Sequence, residues 1–120
     1  TVIESSNFQK ANLISSVFVN ANIKSSAFFG VDMRKAKLTN VATQNCSFES
    51  SDLSEIESID GVFMEGDFSQ VILDDAKFTG NTKFTSSLFP YASFKRVLFD
   101  KILVSNCNMK DAVFNGGGIK

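Results

Sequence analysis

The chain of 120 residues has no histidine and no tryptophan, one proline, two cysteines, and no lysine or arginine between residues 38 and 76. Without imidazole, nucleophilic triads, histidine-based acid–base chemistry and most zinc sites are out of reach. No glycine-rich loop precedes a helical pattern, so nothing suggests a phosphate cradle. No apolar run is long enough to span a membrane, and no secretory apolar segment opens the chain. Paired carboxylates occur at Asp74-Asp75 and at Glu55 and Glu57, but they read as solvated corner residues. The expectation is no enzyme, with no catalytic, cofactor-binding or metal-binding residues.

What the chain has instead is a ruler. From Ile3 a large apolar residue recurs every five positions: Phe8, Leu13, Phe18, Ile23, Phe28, Met33, Leu38, with lapses at Thr43 and Ser58. One extra residue within Gly80-Asn81-Thr82-Lys83 shifts the frame, which resumes at Phe84 and runs on to Phe114 and Ile119. Of 24 slots, 22 are large and apolar, and 12 of the 13 phenylalanines occupy them. Two residues before each slot lies a column of small or modest residues, among them Ala11, Ser16, Ala21, Ser26, Val31, Ala36, Cys46 and Ala76. Neither column contains a charge. Residues two apart on an extended segment point the same way, so both columns face inward, the small one letting the backbone turn. A period of five fits neither a helix nor a plain strand. The chain must bend every five residues and coil, which marks a solenoid.

Ala11-Asn12-Leu13, Ala21-Asn22-Ile23, Ser51-Asp52-Leu53 and Gly66-Asp67-Phe68 closely resemble the repeat of the pentapeptide-repeat family. The resemblance covers the whole chain. It implies an all-β fold, a right-handed parallel quadrilateral β-helix of about six coils with four pentapeptides each. The rod would be roughly 29 Å long at about 4.8 Å per stacked strand. Residues 1–120 would form a single domain, either complete or part of a larger protein. Taking every fourth slot gives a phenylalanine ladder (Phe8, Phe28, Phe48, Phe68, Phe89, then Met109) beside one rich in leucine and methionine (Leu13, Met33, Leu53, Leu73, then Phe94 and Phe114), as stacking of like on like favours. Both lapses fall in the third coil, which is expected to be the least regular or to carry a small bulge. The extra residue near Gly80-Asn81 should form a corner bulge with a positive φ. Cys46 and Cys107 share a face but lie three coils, about 14 Å, apart, too far to bridge.

Charge and surface apolarity carry the remaining information. Residues 1–37 are net +3, residues 38–76 net −9 and residues 77–120 net +5, an acidic belt between basic ends. Glu55, Glu57, Glu65, Asp74 and Asp75 are its candidate partner-binding residues, by electrostatic steering of a basic partner. The slot before each large residue is usually Asp or Asn in the family. Here it holds Val62, Ile72, Leu88, Leu98, Leu103 and Val113, while Phe29, Pro90 and Tyr91 also point outward. Leu88, Tyr91, Leu98 and Leu103 are expected to form one C-terminal patch, and such patches mark interfaces.

The favoured expectation is a non-enzymatic interaction scaffold with a protein partner of unknown identity. In the family this role includes the substrate-recruiting domain of secreted bacterial effectors that act as HECT-like ubiquitin ligases. A second expectation comes from quinolone-resistance members, which mimic B-DNA and act on DNA gyrase, though their rods are broadly acidic and usually dimerise through a C-terminal helix, whereas here both ends are basic. A third is a lumenal or periplasmic structural protein. The compartment would be bacterial cytoplasm, host cell or lumen accordingly. Direct nucleic-acid binding is not expected, because the basic residues are dispersed with no stacking groove. Neither end carries a polar cap, which leaves end-to-end self-association open.

Overall fold

The computed structural model describes residues 1–116 and the backbone of residues 118 and 119. Among these every regular element is a short strand. All pairing is parallel, with a residue twenty positions away, as in Ile3 with Ile23, or twenty-one where Asn81 intervenes, as in Phe63 with Phe84. The chain therefore completes one coil every twenty residues, with four inward slots per coil defining four faces, here named A to D in chain order. The side chain of Ile119, the last slot of the ruler, lies outside the described residues.

Faces A and D are six-stranded parallel sheets. Face A stacks Val2–Glu4, Asn22–Lys24, Ala42–Gln44, Val62–Met64, Lys83–Thr85 and Leu103–Ser105, and face D stacks Val17–Val19, Lys37–Thr39, Glu57–Ile59, Lys77–Thr79, Leu98–Phe99 and Gly118–Ile119. Faces B and C are held for most of their length by single-residue bridges, through Asn7, Ala27, Ser47, Asp67, Leu88 and Asn108 on B and Asn12, Asp32, Asp52, Ile72 and Ser93 on C. The difference is local chemistry. On B and C, Asn or Asp before the slot accepts the N–H two residues on, as Asn7 does from Gln9 (2.9 Å), Asp67 from Ser69 (3.0 Å) and Asn108 from Lys110 (3.0 Å). The slot carbonyl then closes a turn with the N–H three residues on, as between Phe8 and Ala11 (3.0 Å). Such local bonds compete with the ladder and shorten the extended run. On A and D no such turn follows the slot, whether Val2, Asn22, Lys37 or Ala42 precedes it, and most strands there keep three residues.

The bend is made where the sequence does not advertise it. The second residue after each slot has a positive φ, twenty times in residues other than glycine, from Ser5 (48°) to Asp111 (60°). The small column follows this corner instead of forming it. The bend thus lies one residue before the position expected of it, because the outward corner residue takes the left-handed conformation while the next residue re-enters the core.

Inside, the slots pack as anticipated. Phe8, Phe28, Phe48, Phe68 and Phe89 stack with centroids 4.9, 4.8, 5.0 and 4.7 Å apart. A second stack on face A, Phe63 over Phe84 at 4.9 Å, meets the first edge-on, with Phe63 and Phe68 at 78°. Offset stacks and edge-to-face contacts are both favoured ring geometries, adding about 0.5–1.5 kcal/mol per pair to burial.

The two lapses leave no bulge. Thr43 pairs in register with Ile23 and Phe63, and Ser58 with Leu38 and Phe78, so the third coil is as regular as its neighbours. Backbone ladder bonds do not depend on slot size, and the deficit appears as a small apolar void of about 20 Å³ lined in part by Thr43. Ser58 is 0% exposed and its Oγ has no hydrogen-bond partner. Gly61 sits against it, where an added Cβ would lie 2.8 Å from the Phe63 ring. The inserted residue falls at the corner between faces D and A. Gly80 has φ +73° there, and Asp60 Oδ1 accepts the Asn81 N–H at 3.0 Å. Cys46 and Cys107 are free thiols, the first buried.

Candidate interaction surface

The coil geometry disperses the expected apolar patch. Leu88 stands on face B beside Asp67 and Asn108, and Tyr91 is at the corner after it. Leu98 is on face D, paired with Lys77, and Leu103 is on face A, paired with Lys83. Residues ten apart are half a coil apart, so Leu88 and Leu98 face opposite ways despite their closeness in sequence. Only Leu88 and Tyr91 remain together, 47% and 65% exposed.

The acidic belt divides in a similar way. At the edge between faces C and D it is stitched to basic rows above and below. Arg34 pairs with Asp32 at 2.9 Å and reaches Asp52 at 4.0 Å, and Arg96 pairs with Asp75 at 2.7 Å in the coil below. The hydrogen bonds from these guanidinium groups hold the Asp32 and Asp75 carboxyls below the usual carboxylate range and raise both arginines. Asp74 is occupied by the backbone. Its Oδ1 accepts from Ser93 Oγ and from the Lys95 N–H, replacing an Asx acceptor that Ser93 cannot supply. Glu55 and Glu57 line a groove of about 290 Å³ with Lys35, Lys37, Asp75 and Lys77, in which Lys37, Glu57 and Lys77 alternate in charge from coil to coil. Glu65 is elsewhere, at the corner between faces A and B.

Face B is where unpaired acid and outward apolar residues coincide. From coil two to coil five this face and its corners, residues 25–30, 45–50, 65–70 and 86–91, contain no lysine or arginine. They carry Glu49, Glu65 and Asp67, none of them in an ion pair among the described residues. Phe29, 37% exposed, stands in coil two below them, with Leu88, Pro90 and Tyr91 in coil five above. Three of the six rows of face B make the Asx bond, at Asn7, Asp67 and Asn108, and Leu88 and Pro90 lack it as Ala27 and Ser47 do. Leucine removes the side-chain acceptor that Asn7, Asp67 and Asn108 provide, and proline removes the N–H that would have used it. The change leaves no polar group stranded and turns the row apolar. Tyr91 occupies its left-handed corner at φ 59°, a conformation costly for a bulky residue. Phe29, Glu49 and Asp67 are not among the site residues expected from the sequence, although the twenty-residue period already places Phe29 and Glu49 in one file with Pro90 and Asp67 in the file of Leu88.

An apolar concavity of about 330 Å³ also opens among Phe84, Phe89, Phe94, Phe99, Ile102, Val104, Met109 and Phe114. These are inward-facing residues of the two columns, with no polar side chain among them to orient a ligand.

Residues 6–41 match the family model for pentapeptide repeats, in 8 copies. No curated protein matches the chain in sequence. Among solved structures, a pentapeptide repeat protein of the Arabidopsis thaliana thylakoid lumen is similar, with TM-score 0.76 and 20% identity over 79% of this chain and 66% of that one. QnrB1, a plasmid-mediated fluoroquinolone resistance protein, is similar with TM-score 0.67 and 14% identity over 93% and 71%. HetL, involved in heterocyst differentiation regulation in the cyanobacterium Nostoc sp., gives TM-score 0.62 and 10% identity over 92% and 60%. The chain thus spans 60–71% of the length of these structures, and the likeness is one of fold.

Proposed function

We propose that this chain, a pentapeptide-repeat protein, works as a non-enzymatic rod that presents one side to a protein partner. The observation that carries the proposal is face B, where unpaired carboxylates and exposed apolar side chains share one file and no cation intervenes. The carboxylate pair most suggestive of acid–base chemistry supports it from the other direction, since Asp74 is held by Ser93 and Lys95 and Asp75 by Arg96. A substrate-recruiting domain of a larger bacterial effector is one setting for such a rod, and a lumenal structural protein is another.

The gyrase-directed reading needs a broadly acidic rod. Arg34 and Arg96 break the acid at the C–D edge, which favours the interaction reading over DNA mimicry. A supercoiling assay with purified gyrase separates the two, and inhibition or protection would restore the mimic.

The test of the interaction reading is photo-cross-linking in the producing cells, with p-benzoylphenylalanine placed in turn at Lys83, Tyr91, Lys95 and Lys37. These positions sample faces A, B, C and D. A discrete protein adduct from one face is expected, with Tyr91 the productive position. Absence of adducts from all four positions would sink the reading.

A further inference from the structure

Face B carries a spacing as well as a composition. The Phe28, Phe48, Phe68 and Phe89 rings beneath it are 4.8, 5.0 and 4.7 Å apart, so its outward rows follow one another at about 4.8 Å. Phe29 stands in the first row, Glu49 in the second and Pro90 in the fourth of one file, with Asp67 in the third row and Leu88 in the fourth of the adjacent file, about 7 Å across the face. The two apolar rows are about 14 Å apart, and the carboxylates between them centre about 7 Å from each. An extended peptide advances about 3.4 Å per residue and points every second side chain the same way. Its residues i, i+2 and i+4 therefore fall at about 0, 7 and 14 Å, on an apolar row, the carboxylates and an apolar row.

We propose that face B takes an extended segment of its protein partner, laid along the rod axis, with the pattern apolar–x–(Lys or Arg)–x–apolar. The proposal rests on the interaction reading above and names the partner's chemistry. The charge requirement is one-sided, because Glu49 and Asp67 have no cationic partner among the described residues. Asp67 spends only Oδ1 on Ser69. A helical segment fits poorly. At about 1.5 Å per residue it needs about nine residues for the same span, and the ninth lies on the opposite side of the helix. The pattern is symmetric, so the segment can run in either direction.

The test is a ¹⁵N NMR titration of the full chain with the capped peptide Phe-Ser-Arg-Ser-Leu, and with Phe-Ser-Glu-Ser-Leu as control. The arginine peptide is expected to shift the amides of Phe29, Glu49, Ser69 and Tyr91, at least about tenfold more tightly than the glutamate peptide, and less so as salt is raised. Glu49→Lys should abolish the shifts. Asp67→Asn, which keeps the acceptor for Ser69 and removes the charge, should weaken them with the rest of the spectrum unchanged. Equal response to both peptides, shifts confined to other faces, or no shift up to the peptide's solubility would overturn the proposal. If the peptide fails while a cross-linker on another face captures a protein, the segment is wrong and the interaction reading stands. If no face cross-links, the reading itself falls.

Discussion

Replacing Tyr91 by asparagine should stabilise the protein while weakening the surface it serves. Tyr91 is 65% exposed and holds φ at 59°. The left-handed region brings Cβ close to the following carbonyl oxygen and costs an L-residue roughly 1–2 kcal/mol, a cost asparagine largely escapes by local hydrogen bonding. Little burial is lost, since most of the ring is already in water. Tyr91 also follows Pro90 in a turn closed by the Ala92 N–H on the Phe89 carbonyl at 3.1 Å. Proline suits the first central position of such a turn, and Gly or Asn the second. The net gain expected for Tyr91→Asn is about 0.5–1 kcal/mol, or roughly 2–5 °C in the melting temperature of a chain this size. Tyr91→Val, β-branched at the same corner, should lower the melt instead. Differential scanning calorimetry on the three proteins decides it. A lower melting temperature for the asparagine variant would show that ring contacts with Leu88 and Pro90 outweigh the backbone cost. The same variant should bind the Phe-Ser-Arg-Ser-Leu peptide less tightly, so stability and binding are expected to move in opposite directions, as they do where a strained residue serves function.

Other perturbations test the frame around that surface. Ser58→Ala removes a fully buried hydroxyl that has no partner and should stabilise by about 1–2 kcal/mol in urea unfolding. Ser58→Leu, the residue the ruler would call for, replaces the hydroxyl by three carbons where Gly61 already closes on Ser58 and Phe63 and should cost about 1–3 kcal/mol; the reverse order would mean that the core can reopen. Phe68→Ala takes a ring stacked on Phe48 and Phe89 out of the buried ladder and should cost about 3–5 kcal/mol, so an unchanged melt would refute its inward placement. The depressed carboxyls of Asp32 and Asp75 contribute stability that is present at neutral pH and lost as pH falls through their lowered values, below the usual carboxylate range near 4. Both pairs are exposed and screened, so the effect is small. Arg34→Gln with Arg96→Gln should flatten the acid limb of melting temperature against pH, and an unaltered limb would remove these pairs from the account.

The core was legible because one constraint repeats. A large side chain must enter every five residues, and the chain obeys it with phenylalanine from Phe8 to Phe114. The break at Gly80-Asn81 was legible for the same reason, since it shifts the count by one. The left-handed corners were legible only in part, because Gly, Asn and Asp fill ten of the 23 among the described residues while Ser, Lys, Glu, Gln, Arg and Tyr fill the rest. Stacking supplies the conformation there and the side chain need not, so composition carries only a partial trace of it. The surface lies between these cases. Leu88, Leu98 and Leu103 looked like neighbours because they are close in sequence, whereas on a twenty-residue coil neighbours are residues that agree modulo twenty.

The modulus that ordered the core also orders the outside. Applied there, it places Phe29 and Glu49 in one file with Pro90, and Asp67 directly below Leu88. Such a file is informative only where its residues break a local rule at a cost. Leu88 and Pro90 give up the Asx bond that Asn7, Asp67 and Asn108 keep, and Tyr91 accepts a strained φ. Together with the row of Ala27 and Phe29 in coil two, which is also apolar on both sides of its slot, the row of Leu88 and Pro90 is where the proposed interaction is tested most directly.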